Sequence, residues 1–175
     1  MKKTHTTKRP AALRAGSNQP VTYATSGLPE IKVVTLRECL VVAPKASSPK
    51  GIARLWRKFV ESAYWFSPDK ESFVVFLLDV NCRCIGFNMV STGSLKECSA
   101  PPNEVFRAPI LCAAAGVVFV HNHPSGDPKP SEADIKATRR LVRVGVDMGI
   151  DVADHVIMGS KAQGYTSLKQ LGYLY

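Results

Sequence analysis

The side chains best suited to metal chemistry lie within one short stretch of the sequence. His121 and His123 stand two residues apart at the end of an apolar run, and Asp134 follows shortly after them. Because alternate residues of a strand project from the same face, both imidazoles can reach one ion. Two histidine nitrogens and one carboxylate oxygen form the three-ligand shell of catalytic zinc sites, which leave a fourth position for water. The pattern predicts one zinc ion held by these three residues.

The segment between the histidines and Asp134 has to bring them together. Residues 124–130 contain three prolines, which restrict the backbone of this connection. Ser131 is then predicted to cap a helix whose first turn contains Asp134. Each feature alone has an ordinary explanation, since a histidine at a strand end is usually a surface group and such an aspartate usually caps its helix. Their combined spacing favours the metal site. Whether Asp134 acts as a metal ligand, as a helix cap or as both stays open.

The hydrophobic periodicity predicts an α/β domain with a mixed β-sheet flanked by helices. The helix over 131–148 should bury Ile135, Thr138, Val142 and Val146, and should expose Lys136, Arg139, Arg140 and Arg143. The other predicted elements are short strands at 31–36 and 40–42, a helix from Pro49 whose buried face includes Phe59, a hairpin of strands 73–78 and 85–90, a helix from Pro101 to about Ala115, a central strand at 117–120 and a last strand at 152–158.

Composition and charge indicate one soluble domain behind a basic arm. The chain has 175 residues and a net charge of +9, and residues 1–29 contain five basic residues and no acidic one. We therefore predict a disordered basic arm over 1–29, which offers contacts to nucleic acid, and one folded domain over 30–175. No apolar run approaches the roughly 18 residues of a membrane span, and no signal-peptide core follows the N-terminus, so we expect a cytoplasmic protein that does not enter membranes. The five cysteines are odd in number and are expected to be free thiols.

The metal-site residues belong to a longer recognisable pattern. His121-Asn122-His123-Pro124, Ser131 and Asp134 resemble the JAMM signature of the JAB/MPN+ zinc metalloproteases, and VHNHPSGDPKPSEADI followed by DHVIMG is similar to their RadC-like branch. Asn122 stands where ubiquitin-specific relatives have Ser or Thr, which also favours that branch. The resemblance covers roughly residues 48–175. It implies a cytidine-deaminase-like MPN domain that uses zinc and water to cleave a peptide or isopeptide amide.

The resemblance also implies two catalytic groups beside the ligands. Glu71, just before the strand over 73–78, resembles the family's general base, and Glu104 is the alternative. Glu104 fits better as a helix N-terminal carboxylate. The Ser131 hydroxyl would donate to the developing oxyanion. His155, in the apolar run over 152–158, is interpreted as a hydrogen-bonded core residue outside the metal shell.

Three functions are compatible with these features. The leading hypothesis is a zinc metallopeptidase or isopeptidase. The alternative is a DNA-associated RadC-like repair or mobile-element protein, whose MPN domain is a binding module that contacts phosphates through the basic helix face and arm. Metal-dependent phosphodiester cleavage ranks last, because a single three-ligand site lacks the paired metals common in nucleases.

Overall fold

A five-stranded mixed sheet organises the chain. The computed structural model describes residues 45–46, 48–93 and 101–175, so the predicted arm and the two strands expected before residue 43 lie outside the described residues. The strands follow the order β2-β1-β3-β4-β5. Among the described strands, only β3 and β4 pair in parallel, which confirms the predicted mixed α/β architecture. The elements are α1 (Pro49–Leu55), a π-helical turn (Trp56–Val60), β1 (Glu71–Leu78), β2 (Cys84–Gly93), α2 (Pro102–Leu111), β3 (Gly116–Asn122), α3 (Glu132–Met148), β4 (Asp151–Met158) and β5 (Tyr165–Ser167).

A side-chain carboxylate stabilises the turn of the β1–β2 hairpin. Oδ1 of Asp79 accepts hydrogen bonds from the backbone N–H groups of Asn81 and Arg83, each at 2.8 Å. Such a side chain can satisfy turn N–H groups that have no partner in the strand ladder. The hairpin predicted from the two apolar runs is therefore confirmed.

β3 is buried along its whole length and separates two layers of the core. Val118 and Val120 pack into the layer that contains residues of α1, whereas Val117 and Phe119 pack with α2 and α3. Because successive residues of a strand point to opposite faces, the same alternation extends to the end of β3. His121 therefore lies on the α3 side of the sheet, and Asn122 points to the opposite layer.

α3 is the predicted long helix, but its buried face is rotated from the expected one. The buried residues are Ile135, Thr138, Leu141 and Gly145, together with Asp134 in the first turn. Val146, predicted to be buried, is 75% exposed. A Cβ atom on Gly145 would lie 2.7 Å from the Ile150 carbonyl oxygen, so this glycine lets the helix approach the chain close to β4. That approach turns the face containing Gly145 toward the sheet.

The other differences arise where helices change or end. α1 passes into a π-helical turn, in which Glu61 N donates to Trp56 O. The extra residue in this turn rotates Phe59 away from the core, and Phe59 is 39% exposed. α2 ends at Leu111, before the predicted boundary near Ala115, and Ala113 has a positive φ of 48°. Three-residue β5 was not predicted. In the described part of the chain, no helix has the length and apolar character needed to cross a bilayer.

Gly145→Ala should test the close approach of α3. The new methyl group would lie 2.7 Å from Ile150 O and 2.8 Å from Val152 Cγ2. Overpacking of this kind costs about 1–3 kcal/mol and outweighs the roughly 1 kcal/mol that alanine gains in helix propensity. Urea unfolding should therefore show reduced stability, whereas Arg140→Ala, on the exposed side of the same helix, should change stability by less than about 0.5 kcal/mol. Equal stability of both variants would contradict the packing described here.

Candidate metal centre

Four side chains converge at the C-terminal end of β3. One ligand atom from each of Glu71, His121, His123 and Asp134 lies within 4.8 Å of the others. Nε2 of His121 is 3.1 Å from Nε2 of His123 and 3.4 Å from Oδ1 of Asp134. Nε2 of His123 is 3.5 Å from the other carboxylate oxygen, Oδ2. The structure thus brings together all three residues predicted as ligands and the residue predicted as general base.

These separations suit a tetrahedral metal ion. Zinc bonds of about 2.0–2.1 Å in a tetrahedron place neighbouring ligand atoms roughly 3.3 Å apart, close to the 3.1–3.5 Å between the His121, His123 and Asp134 atoms. Glu71 lies slightly farther out, with Oε1 3.7 Å from Nε2 of His121. The two histidines and the aspartate therefore form the tighter group, and Glu71 lies beside it.

The outer ring nitrogens of both histidines are already engaged. Nδ1 of His123 donates to the carbonyl oxygen of Asp127 at 2.8 Å, and Nδ1 of His121 lies 2.8 Å from Nε2 of His155. If each neutral ring has its proton on Nδ1, both Nε2 atoms present lone pairs to one another at 3.1 Å. This arrangement is repulsive without a positive charge between the rings. The donor set therefore fits a bound cation.

The pKa shifts in the cluster also favour a positive charge there. Burial raises the pKa of Asp134, but the neighbouring imidazoles of His121 and His123 and the hydrogen bond from Ser131 outweigh burial and hold this pKa well below its usual range. The hydrogen bond with Asp134 raises the pKa of His123 despite partial burial. Asp134 is thus held as an anion, and its field favours a positive charge beside the histidines.

One carboxylate both caps α3 and faces the histidines. Oδ2 of Asp134 accepts hydrogen bonds from the backbone N–H of Ser131 at 2.7 Å and from its hydroxyl at 2.6 Å, while Asp134 N donates to Oγ of Ser131. This reciprocal capping box orients the carboxylate so that Oδ1 lies beside His121. The cap therefore holds the carboxylate with Oδ1 beside His121 and Oδ2 beside His123, so Asp134 can cap the helix and also face the metal site.

Glu71 is positioned by an amide from the neighbouring strand. The β1–β3 pairing reaches only to Phe73 and His121. Beyond it, Oδ1 of Asn122 accepts from Ser72 N at 2.9 Å, and Nδ2 of Asn122 donates to Lys70 O at 3.0 Å. These two bonds bracket Glu71 and replace the missing strand ladder, so the backbone that carries Glu71 is tied directly to the histidine strand.

The connection after His123 is held against the end of β4. His123 N donates to Met158 O at 3.0 Å, and Ser160 N donates to Gly126 O at 2.8 Å. A Cβ atom on Gly159 would lie 2.5 Å from Gly126 O, so only glycine allows this approach. Together with the prolines, these contacts define where α3 begins relative to the histidines.

The remaining sequence candidates lie away from the cluster. Glu104 is in the first turn of α2 and forms a surface ion pair with Arg107. The basic residues of α3 are all exposed and lie about 140–240° around the helix from Asp134, at ~100° per residue. These side chains therefore face away from Asp134. These residues are Lys136, Arg139, Arg140 and Arg143.

A cleft of about 430 Å³ opens beside the cluster. Its lining includes the polar residues His123 and Asn122 and the apolar residues Phe66 and Pro68, and buried Met158 also contributes apolar surface. Its mixture of apolar walls and polar groups is typical of ligand-binding clefts. The cleft could admit a segment of substrate next to His123.

Two polar residues have contacts that the sequence does not reveal. The sequence marks Asn122 only as typical of the RadC-like branch and Thr138 only as part of a buried helix face. Asn122 carries the hydrogen bonds beside Glu71, and Thr138 Oγ1 lies 2.6 Å from Nδ1 of His155. Thr138 gave a usable signal, since it is a polar residue at a position where the helical pattern predicts burial and buried polar groups need partners, whereas Asn122 follows the predicted strand and gave no such signal. Their partners come from distant parts of the chain.

The sheet and the cluster at the end of its central strand define an α/β domain of the JAB type with a candidate metal centre. A family model for the RadC-like JAB domain matches residues 47–173. The chain belongs to this family.

Relatives of the chain are found in bacteria and archaea. A UPF0758 protein of Moorella thermoacetica is 46% identical over 106 residues, which are 61% of this chain and 45% of that protein. One from Caldanaerobacter subterraneus subsp. tengcongensis is 47% identical over 127 residues, 73% of this chain and 52% of that protein. One from Methanosarcina mazei is 40% identical over 131 residues, 74% and 54% of the two chains. The chain spans about half the length of the curated relatives it matches.

Metal uptake should depend on the cluster and not on acidity in general. We expect a metal-depleted preparation to bind about one Zn²⁺ per chain, because the three closely spaced ligand atoms define one site. Asp134→Asn should weaken binding, because a neutral amide replaces the anionic oxygen. Glu104→Gln removes a carboxylate outside the cluster and should leave binding unchanged. Zinc titration against a chelating dye measures the affinity of the wild type and of both variants. Normal affinity in Asp134→Asn would exclude Asp134 as a ligand.

Proposed function

We propose that this domain is a zinc-dependent amide hydrolase, a metallopeptidase or isopeptidase of the JAMM type. The observation that carries the proposal is the convergence of two histidine nitrogens and one carboxylate with a second carboxylate, Glu71, just outside them. His121, His123 and Asp134 would hold the ion. A zinc ion bound there supplies Lewis-acid chemistry, which lowers the pKa of water and polarises a carbonyl.

Glu71 is proposed as the general base. Its Oε1 lies 3.7 Å from Nε2 of His121, close enough for the carboxylate to reach a water that would take the open fourth position beside a bound ion. The carboxylate would accept a proton from the attacking water and return it to the departing amine. Asn122 holds the backbone on both sides of Glu71, which limits the positions that its carboxylate can reach.

Ser131 is proposed first as a group that orients Asp134. Its hydroxyl donates to Oδ2 of Asp134 at 2.6 Å, so it holds the carboxylate in place. Stabilisation of an oxyanion by the same hydroxyl would require it to turn from Asp134 toward the substrate carbonyl. Loss of Ser131 should therefore affect both the position of Asp134 and the transition state.

The cleft beside His123 supports a chain-like substrate. It has space for residues on at least one side of the scissile amide, and its apolar wall at Phe66, Pro68 and Met158 would accept an apolar side chain. The exposed charge of Lys161 lies at the same cleft and could contact a polar group of the chain. A peptide or a peptide-linked lysine meets these requirements better than a compact metabolite does.

Glu71→Gln should separate proton transfer from metal binding. Glutamine keeps the shape of the side chain but cannot act as a base, so hydrolysis should fall by about 10²–10⁴-fold while Zn²⁺ content remains near wild type. The assay is a panel of quenched fluorescent peptides and lysine isopeptides, with zinc measured on the same samples. Glu104→Gln is the matched control and should retain full activity.

The outcomes of this comparison assign the two glutamates. Loss of zinc in Glu71→Gln would make Glu71 a ligand, and full activity in it would remove Glu71 from the mechanism. An active Glu71→Gln protein with an inactive Glu104→Gln protein would move the base to Glu104. Failure of the zinc-loaded wild type to cleave any amide in the panel would count against the proposed activity.

A further inference from the structure

A chain of buried hydrogen bonds runs from α3 through β4 to the back of His121. Thr138 Oγ1 lies 2.6 Å from Asp134 O and 2.6 Å from Nδ1 of His155. Nε2 of His155 lies 2.8 Å from Nδ1 of His121. Thr138, His155 and His121 are each 1% exposed or less, so water does not supply alternative partners. Neither Thr138 nor His155 belongs to the group of converging ligand atoms.

The direction of each proton in this chain follows from its first member. A carbonyl oxygen can only accept, so the single hydroxyl hydrogen of Thr138 is directed to Asp134 O. The contact between Thr138 and His155 then requires an N–H on Nδ1 of His155. A neutral imidazole with its proton on Nδ1 presents a lone pair on Nε2. That lone pair accepts the Nδ1–H of His121, which leaves Nε2 of the neutral His121 ring without a proton.

We propose that Thr138 and His155 are positioning residues that keep the proton of His121 on Nδ1 and so reserve its Nε2 for the metal. The inference rests on the proposed metal site. The opposite tautomer of His155 would place an N–H against Nδ1 of His121 and push the His121 proton to Nε2. There it would face Nε2 of His123 at 3.1 Å and occupy the position of the ion.

The two metal-site histidines differ in this respect. The Nδ1 group of His123 donates to a backbone carbonyl, Asp127 O, which accepts whatever the side chains around it do. His121 instead faces a second imidazole, whose tautomer is itself variable. Only the hydroxyl of Thr138, two hydrogen bonds away, removes that ambiguity. Thr138 contacts no ligand atom of the cluster, yet it sets the tautomer of His121.

The packing supports an orienting role. The His155 ring is enclosed by aromatic rings, with centroids 5.7 Å from Phe73 and 5.9 Å from Phe119, and both contacts are edge-to-face. The enclosure prevents the imidazole from turning to another partner. Thr138 is held on the buried face of α3, in the turn that follows Asp134. The same helix therefore supplies a ligand and the group that sets the tautomer of another ligand.

The test compares Thr138→Val with Thr138→Ser in the full chain. Valine has nearly the shape of threonine but no hydroxyl, whereas serine keeps it. Zinc affinity, measured by competition with a chelating dye, should fall about 10–100-fold in Thr138→Val, the usual effect of losing an outer-shell partner. Thr138→Ser should stay within about threefold of wild type, since it keeps the hydroxyl that the outer-shell effect requires.

A second measurement does not depend on bound metal or activity. In the metal-free protein labelled with ¹⁵N-histidine, nitrogen shifts report the tautomer of each ring. We expect His121 to carry its proton on Nδ1 in wild type and Thr138→Ser, and to populate the Nε2–H form in Thr138→Val. Wild-type tautomer and affinity in Thr138→Val would overturn the proposal, and so would equal losses in the valine and serine variants, which would indicate packing alone.

A second pair of variants guards against loss of folding in Thr138→Val. His155→Gln keeps an amide oxygen that can accept the Nδ1–H of His121, whereas His155→Leu has no acceptor. The glutamine variant should bind zinc more tightly than the leucine variant, and equal affinities would contradict the inference. If wild type binds no zinc, the metal proposal fails, but the nitrogen shifts of His121 still decide whether the relay sets its tautomer.

Discussion

Two imidazole nitrogens held close together beside a carboxylate are the constraint on which the functional end of this molecule depends. Nε2 of His121 and Nε2 of His123 are 3.1 Å apart, and both lie within 3.5 Å of Asp134 oxygens. In the low dielectric of a largely buried site, this arrangement is costly unless a cation lies between the groups. The surrounding structure therefore has to hold the rings rigidly before any ion arrives.

The fold meets this constraint by joining three elements at one end of the sheet. β3 supplies both histidines, α3 supplies Asp134 through its capping box, and β4 supplies His155 behind His121. The parallel pairing of β3 with β4 requires a crossover connection, which α3 provides. The N-terminus of α3 therefore lies near the C-terminal end of β3. Helix capping, sheet topology and ligand orientation are thus parts of a single arrangement.

Membership of the RadC-like JAB family agrees with this arrangement, because the matched segment, residues 47–173, contains the whole cluster and its supporting residues. The cleft and the cluster adjoin one another at His123, whereas the exposed basic face of α3 lies on the opposite side of that helix. Catalysis and any contact with polyanions would therefore use separate surfaces. This separation lets the two hypotheses be tested independently.

The sequence by itself indicated most elements of the described part of the chain and the candidate ligand residues. Apolar periodicity located the hairpin, the central strand and α3, and the His-x-His spacing with a capped helix pointed to His121, His123 and Asp134. These signals are local, because they depend on residues within one strand or one helix turn. The π-helical turn was not predicted, and neither was the rotated face of α3, which depends on how closely Gly145 approaches Ile150 and Val152 in the folded structure. Only the tertiary structure could show that Asn122 brackets Glu71 and that Thr138 acts on His121 through His155, because these hydrogen bonds join side chains far apart in the chain, and sequence spacing carries no information about such partners.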